Sequence, residues 1–89
     1  MGYEWLTEAL AALRDVNPYE VTEVLAAERR MPLAAESAGV RFLTINGRTV
    51  SGRALVVAVR LLADHHQQII GARPMTPEEL ARFETWEKS

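Results

Sequence analysis

Arginine supplies most of the charge chemistry this chain can offer. Nine of its ten basic residues are arginine, and Lys88 is the tenth. Arginine presents a planar fork of N–H donors that suits bidentate contact with phosphate or carboxylate and stacking on bases. The net charge of −2 conceals a division along the chain. Residues 2–36 sum to −4, residues 37–77 to +4, and the segment from Glu78 onward to −2. The basic middle holds Arg41, Arg48, Arg53, Arg60 and Arg73 against a single acid, Asp64. A basic segment inside an acidic protein points to a local anion site, not to a broad nucleic-acid face. The alternative is that these arginines are solvated or pair with the acidic helices. Other chemistry is sparse. No cysteine is present, so disulfides and thiolate metal sites are excluded. His65 and His66 are adjacent, would point to opposite faces of a strand, and have no third ligand spaced near them. No metal and no cofactor are expected. No Gly-rich phosphate loop occurs, and no Ser or Thr has a nucleophile context.

The elements that must position these residues follow from pattern. Residues 3–14 place Leu6, Ala9, Leu10 and Leu13 on one helical face. Asn17 fits an N-cap, Pro18 the first helical position and Glu20 the third, completing a capping box and predicting a helix to about Arg29. Met31-Pro32 is expected to end it. Val40 to Ile45 is rich in β-branched and aromatic residues and reads as a strand. Asn46-Gly47 then reads as a tight turn. Arg48-Thr49-Val50 is either a short return strand or part of a loop before Ser51-Gly52. Residues 53–70 admit one long helix or a hairpin turning at Ala63-Asp64-His65-His66. The clustered valines favour the hairpin. Thr76-Pro77-Glu78-Glu79 is a capping box with proline at the first helical position, opening a helix to about Glu87. Leu80 and Phe83 lie on one side of it. The expected class is α+β in a single domain: two N-terminal helices, three to four antiparallel strands and a C-terminal helix. With 89 residues, area scaling leaves roughly 5,200 Å² exposed after folding, a thin core.

The stretch INGRTVSGRALVVAVR…QQIIGARPMTPEELARFE resembles the BrnT-like family of toxins from bacterial type II toxin–antitoxin pairs. The parts that carry the likeness are Gly47-Arg48-Thr49, Gly52-Arg53, the valine-rich strand, Ile69-Ile70-Gly71-Ala72-Arg73, and Thr76 with Glu79. Trp5, Ala9 and the run from Val16 to Leu25 extend it through the first half. The resemblance implies a RelE-like fold with helices on one side of a small antiparallel sheet. It also implies a metal-independent endoribonuclease that cleaves mRNA and is silenced by a bound antitoxin. Such a reaction uses the ribose 2′-hydroxyl as nucleophile, and arginines stabilise charge on the phosphate. Arg73, before a loop and a helix N-terminus, is the first catalytic candidate, with Arg53. Glu79 is the candidate general base, although its capping-box place is sufficient reason for a glutamate there. Arg48, Arg41 and Arg60 are candidates for RNA or phosphate contact. Two family features differ. Phe83 stands where the family typically has tyrosine, and Asp15 precedes Val16 where it often has a His-Gly pair.

Two functions compete. One is the toxin: an RNase, free or ribosome-associated, paired with a cognate antitoxin. The other is a non-catalytic relative that binds a partner protein or forms a homodimer or hetero-oligomer. An enzyme predicts that Arg53, Arg73 and Arg48 converge in one patch. A binding module predicts an exposed apolar strip beside them. No apolar run reaches the roughly 20 residues of a membrane span, and the N-terminus lacks a basic region of the signal-peptide kind. A cytoplasmic location without membrane contact is the expectation.

Overall fold

The computed structural model describes residues 3–62 and 66–89. In chain order its elements are β1 (Tyr3–Trp5), α1 (Thr7–Ala11), α2 (Pro18–Ala26), β2 (Arg30–Ser37), β3 (Val40–Arg48), β4 (Ala54–Leu61), β5 (Gln67–Pro74) and α3 (Pro77–Glu87). The α+β class stands. The sheet has five strands in the order β1-β5-β4-β3-β2, and it is mixed. β2 to β5 form an antiparallel meander, while β1 runs parallel to β5, pairing Trp5 with Ile69.

Three local expectations are corrected. The helix expected over residues 3–14 is a three-residue strand followed by the short α1. The helix holds only over Thr7–Ala11, with Ala9 buried, Leu10 exposed and Leu13 beyond its end, and Tyr3 to Trp5 find ladder partners more than sixty residues away, which no local pattern registers. Met31-Pro32 lies inside β2, an edge strand, where a residue without an N–H is tolerated. The sheet therefore gains a strand on each side of the three that pattern recovers. Asn46-Gly47 is not a turn but the interior of β3. The chain reverses instead at Ala38-Gly39, with φ of 51° and 81°, the two-residue geometry that matches strand twist.

The reason for glycine at 47 is packing. A Cβ there would lie 3.1 Å from Val24 Cγ1, so the missing side chain lets α2 approach the sheet. Asn46 points the other way, is buried, and donates its amide to Met31 O at 3.2 Å. Of the Arg48-Thr49-Val50 alternatives, Arg48 ends β3 and the next two residues enter a loop. That loop closes through Gly52 N to Thr49 O at 2.9 Å, with Gly52 at φ 95°.

The hairpin reading of residues 53–70 holds, since β4 and β5 pair from Leu55 with Pro74 to Leu61 with Gln67. The expected turn residues Ala63, Asp64 and His65 lie outside the described residues. Alternation gives the sheet two faces. On one, Ile45, Leu55, Val57, Val59 and Ile69 pack with Val16 and with Val21, Val24 and Leu25 of α2. On the other, Asn46 and Val56 are buried, and Arg48 and Arg73 reach from the sheet to α3, whose Phe83 is fully buried. The helices thus divide between the two faces, which corrects the expectation that all lie on one side.

Candidate functional site

α3 starts where the capping box predicts. Thr76 Oγ1 accepts from Glu79 N at 3.2 Å, and Glu79 Oε1 accepts from Thr76 N at 2.9 Å. Pro77 fills the first turn, so the helix entry is rigid. The same Glu79 carboxylate receives Arg73 from β5, whose two terminal nitrogens donate at 2.6 and 2.8 Å. This bidentate pair, together with the Thr76 N–H, holds the Glu79 carboxyl at a pKa of about 2 and pushes Arg73 upward. A carboxylate that weakly basic is poorly matched to proton abstraction near neutral pH. The pair and the cap account for Glu79.

Arg48 reaches the other end of the helix. Its Nε donates to Glu87 at 2.9 Å, and a second nitrogen donates to the other Glu87 oxygen at 3.0 Å and to Glu84 at 3.4 Å. Its remaining nitrogen donates to Gly52 O at 2.9 Å, and the guanidinium lies 5.6 Å from the centre of the Phe83 ring. The Glu87 carboxylate raises the Arg48 pKa, and Arg48 lowers that of Glu87. A third arginine, Arg29, donates to the carbonyls of Trp86 and Glu87 at 3.2 and 3.1 Å and stacks 4.7 Å from the Trp86 ring. Cations suit the carbonyl end of a helix. Sequence reasoning does not single out Arg29. Its partner lies 57 positions away, and no local signal links them.

Arg53 belongs elsewhere. It donates to Glu20 at 2.9 Å and to the carbonyl of Asp15, a residue at φ 61°. Glu20 is buried at the start of α2 and also accepts from Asn17 N at 3.0 Å. The Asn17 N–H first, and then Arg53, hold its carboxyl below the usual range. Arg53 thus ties the β3–β4 loop to the α1–α2 junction on the α2 side. The expected convergence of three arginines becomes two on the α3 face and one on the α2 side. Arg60 is on the α3 face by alternation and donates to Gln68 at 2.9 Å. Among the described residues Arg41 pairs with Glu36 at 3.7 Å, both largely exposed; such pairs contribute little.

On the α2 face, beyond the reach of that helix, a hollow of about 700 Å³ opens at the end of the sheet. Ala34, Leu43, Val59 and Leu61 line it, with Glu36 and Arg41 at the rim. Leu43 and Leu61 are exposed. Among the described residues no three His, Asp or Glu side chains group to hold a metal ion. His66 is exposed, and His65 lies outside the described residues. No helix among the described residues is long and apolar enough to cross a membrane. No protein-family model matches the chain, and no curated protein matches it.

Proposed function

We propose that this chain is a toxin-like RNA-binding protein of a type II toxin–antitoxin pair, acting as a metal-independent endoribonuclease on the α3 face of its sheet. The observation that carries the proposal is the presentation of Arg48 and Arg73 on one sheet face, each in a fork geometry that fits a phosphate as well as a carboxylate. Arg73 and Arg48 bind the scissile and neighbouring phosphates in this reading. They stabilise the charge that builds up as the 2′-oxygen bonds to phosphorus, its proton passing to solvent, and the 5′-oxygen of the next nucleotide leaves and takes a proton from solvent. Arg60 extends the basic track along β4. Arg53 positions the β3–β4 loop that carries the Gly52 carbonyl beside Arg48. Glu79 orients Arg73 and does not serve as the base.

A second reading is favoured by a separate observation. The apolar hollow with exposed Leu43 and Leu61 is the kind of surface a protein partner covers. Under the first reading that partner is the antitoxin. Under the second it is the whole function, and RNA is not cleaved.

Induction of the wild-type gene and of an Arg73→Ala version in a bacterial host separates the two. Growth arrest with RNA breakdown in the wild type alone supports the nuclease. Soluble expression of the wild type with intact RNA and normal growth leaves the binding module.

A further inference from the structure

α3 is fastened to the sheet by one buried ring and by a set of half-exposed ion pairs. Only Phe83 of its eleven residues is buried. Beside it, Leu80 and Trp86 are half-buried, and the polar attachment comes from Arg73 on Glu79, Arg48 on Glu84 and Glu87, and Arg29 on the last carbonyls. These arginines come from β5, the end of β3 and the segment after α2, so one helix gathers cations from three parts of the chain. Glu79 and Glu87 are eight residues apart, which places their backbone positions about 12 Å apart along the helix axis. Their carboxylates saturate the same donor forks that a phosphate would use. The Arg73 side chain is 54% exposed and that of Arg48 33%, so solvent and ions reach both pairs and the attachment is weak enough to open.

We propose that α3 is an intramolecular competitor: its acidic face occupies the anion site, and single-stranded RNA binds there only by displacing Glu79, Glu84 and Glu87 from the arginines. This rests on the RNA-binding reading above and adds a control to it. A site that is closed about nine-tenths of the time binds about tenfold more weakly than its open form. The connector between β5 and α3 is two residues, Met75 and Thr76, so α3 stays in place and only the Glu79, Glu84 and Glu87 side chains turn away from the arginines.

The test uses the full chain and a fluorescently labelled single-stranded oligoribonucleotide at low salt, read by anisotropy. The variant E79Q/E84Q/E87Q keeps side-chain volume and the helix cap while removing the competing charges. The control E4Q/E8Q/E36Q changes net charge by the same amount on β1, on α1 and at the end of β2. The α3 variant is expected to bind at least about tenfold more tightly than the control. Equal affinity for the two variants overturns the proposal. A second measurement needs no substitution: the side-chain carboxyl carbon signals of Glu79, Glu84 and Glu87 in the wild type should shift when RNA is bound, and unmoved signals overturn the proposal. An R48A/R73A variant separates the two readings. If it binds RNA as the wild type does, RNA does not use this face, and both the site and the competitor fall. If it loses binding while the Glu→Gln variants match, the site stands and only the competitor falls.

Discussion

Arg73 and Glu79 show how a residue type legible in sequence can acquire a different task in space. The glutamate is readable as a cap or as a base, and its pairing with Arg73 makes it a cap and a clamp. Its carboxyl lies at about 2 in the folded chain against an ordinary 4.5. The pair's contribution to stability is therefore fully present above about pH 4.5 and is lost as pH falls through about 2. Because Arg73 is half-exposed, that contribution is about 1–2 kcal/mol after screening. Urea unfolding of the wild type and Glu79→Gln should show a gap at about pH 6 that closes as pH approaches 2. A gap independent of pH would deny the pairing. Gly47 makes a second prediction at this scale. Gly47→Ala pushes a methyl towards Val24 and should cost about 1–3 kcal/mol, measurable by the same unfolding experiment. A turn glycine with positive φ would respond to the same change through backbone strain. Gly47 has no positive φ, so its effect should be relieved by Val24→Ala in a double-mutant cycle.

At the scale of elements, α3 rests on one aromatic anchor and one complete cap. Thr76→Ala removes the oxygen that accepts the Glu79 N–H and should cost about 1 kcal/mol. Phe83→Ala empties a fully buried site and should cost about 3–5 kcal/mol, seen as a lower urea midpoint. The order of these two costs matters. A larger loss at the cap than at Phe83 would mean that α3 does not cover the sheet face. β2 shows why an element can escape a sequence reading. Its Pro32 ends helices and weakens strands in any local account, yet an edge strand accommodates it because one side of the strand needs no partner. The same proline blunts that edge against pairing with another chain.

For the whole molecule, arginines on opposite sides of one sheet divide the labour. Arg53 with Glu20 fixes the framework, and Arg48 with Arg73 faces α3. Alanine at Arg48 or at Arg73 should weaken RNA binding. Each should also lower the slope of log affinity against log salt by about 1, measured by salt titration of anisotropy. Arg53→Ala should instead lower stability and leave that slope unchanged. The accessible surface is 5858 Å², about an eighth more than the roughly 5,200 Å² expected from mass. The thin cover is visible where β2 leaves Pro32, Ala34 and Glu36 exposed on the α2 face beside the hollow.

Signals that act within a few residues are legible in the sequence itself. The Asn17-Pro18 and Thr76-Pro77 helix starts, the valine-rich β4 and the hairpin to β5 all rest on contacts or backbone preferences that a short window contains. The α+β class follows from their order. The tertiary structure alone decided the rest. β1 exists because β5 offers it a parallel ladder, and β2 because β3 offers it an antiparallel one. Asn46-Gly47 stays extended because α2 needs the space above Gly47. Whether an arginine is free, clamped or shared depends on which acid is brought beside it. For Arg73 that acid is six residues away, but for Arg53 it is 33 and for Arg48 it is 39. Charge acts through space, so the type and number of the arginines are properties of the sequence, while their partners are properties of the fold.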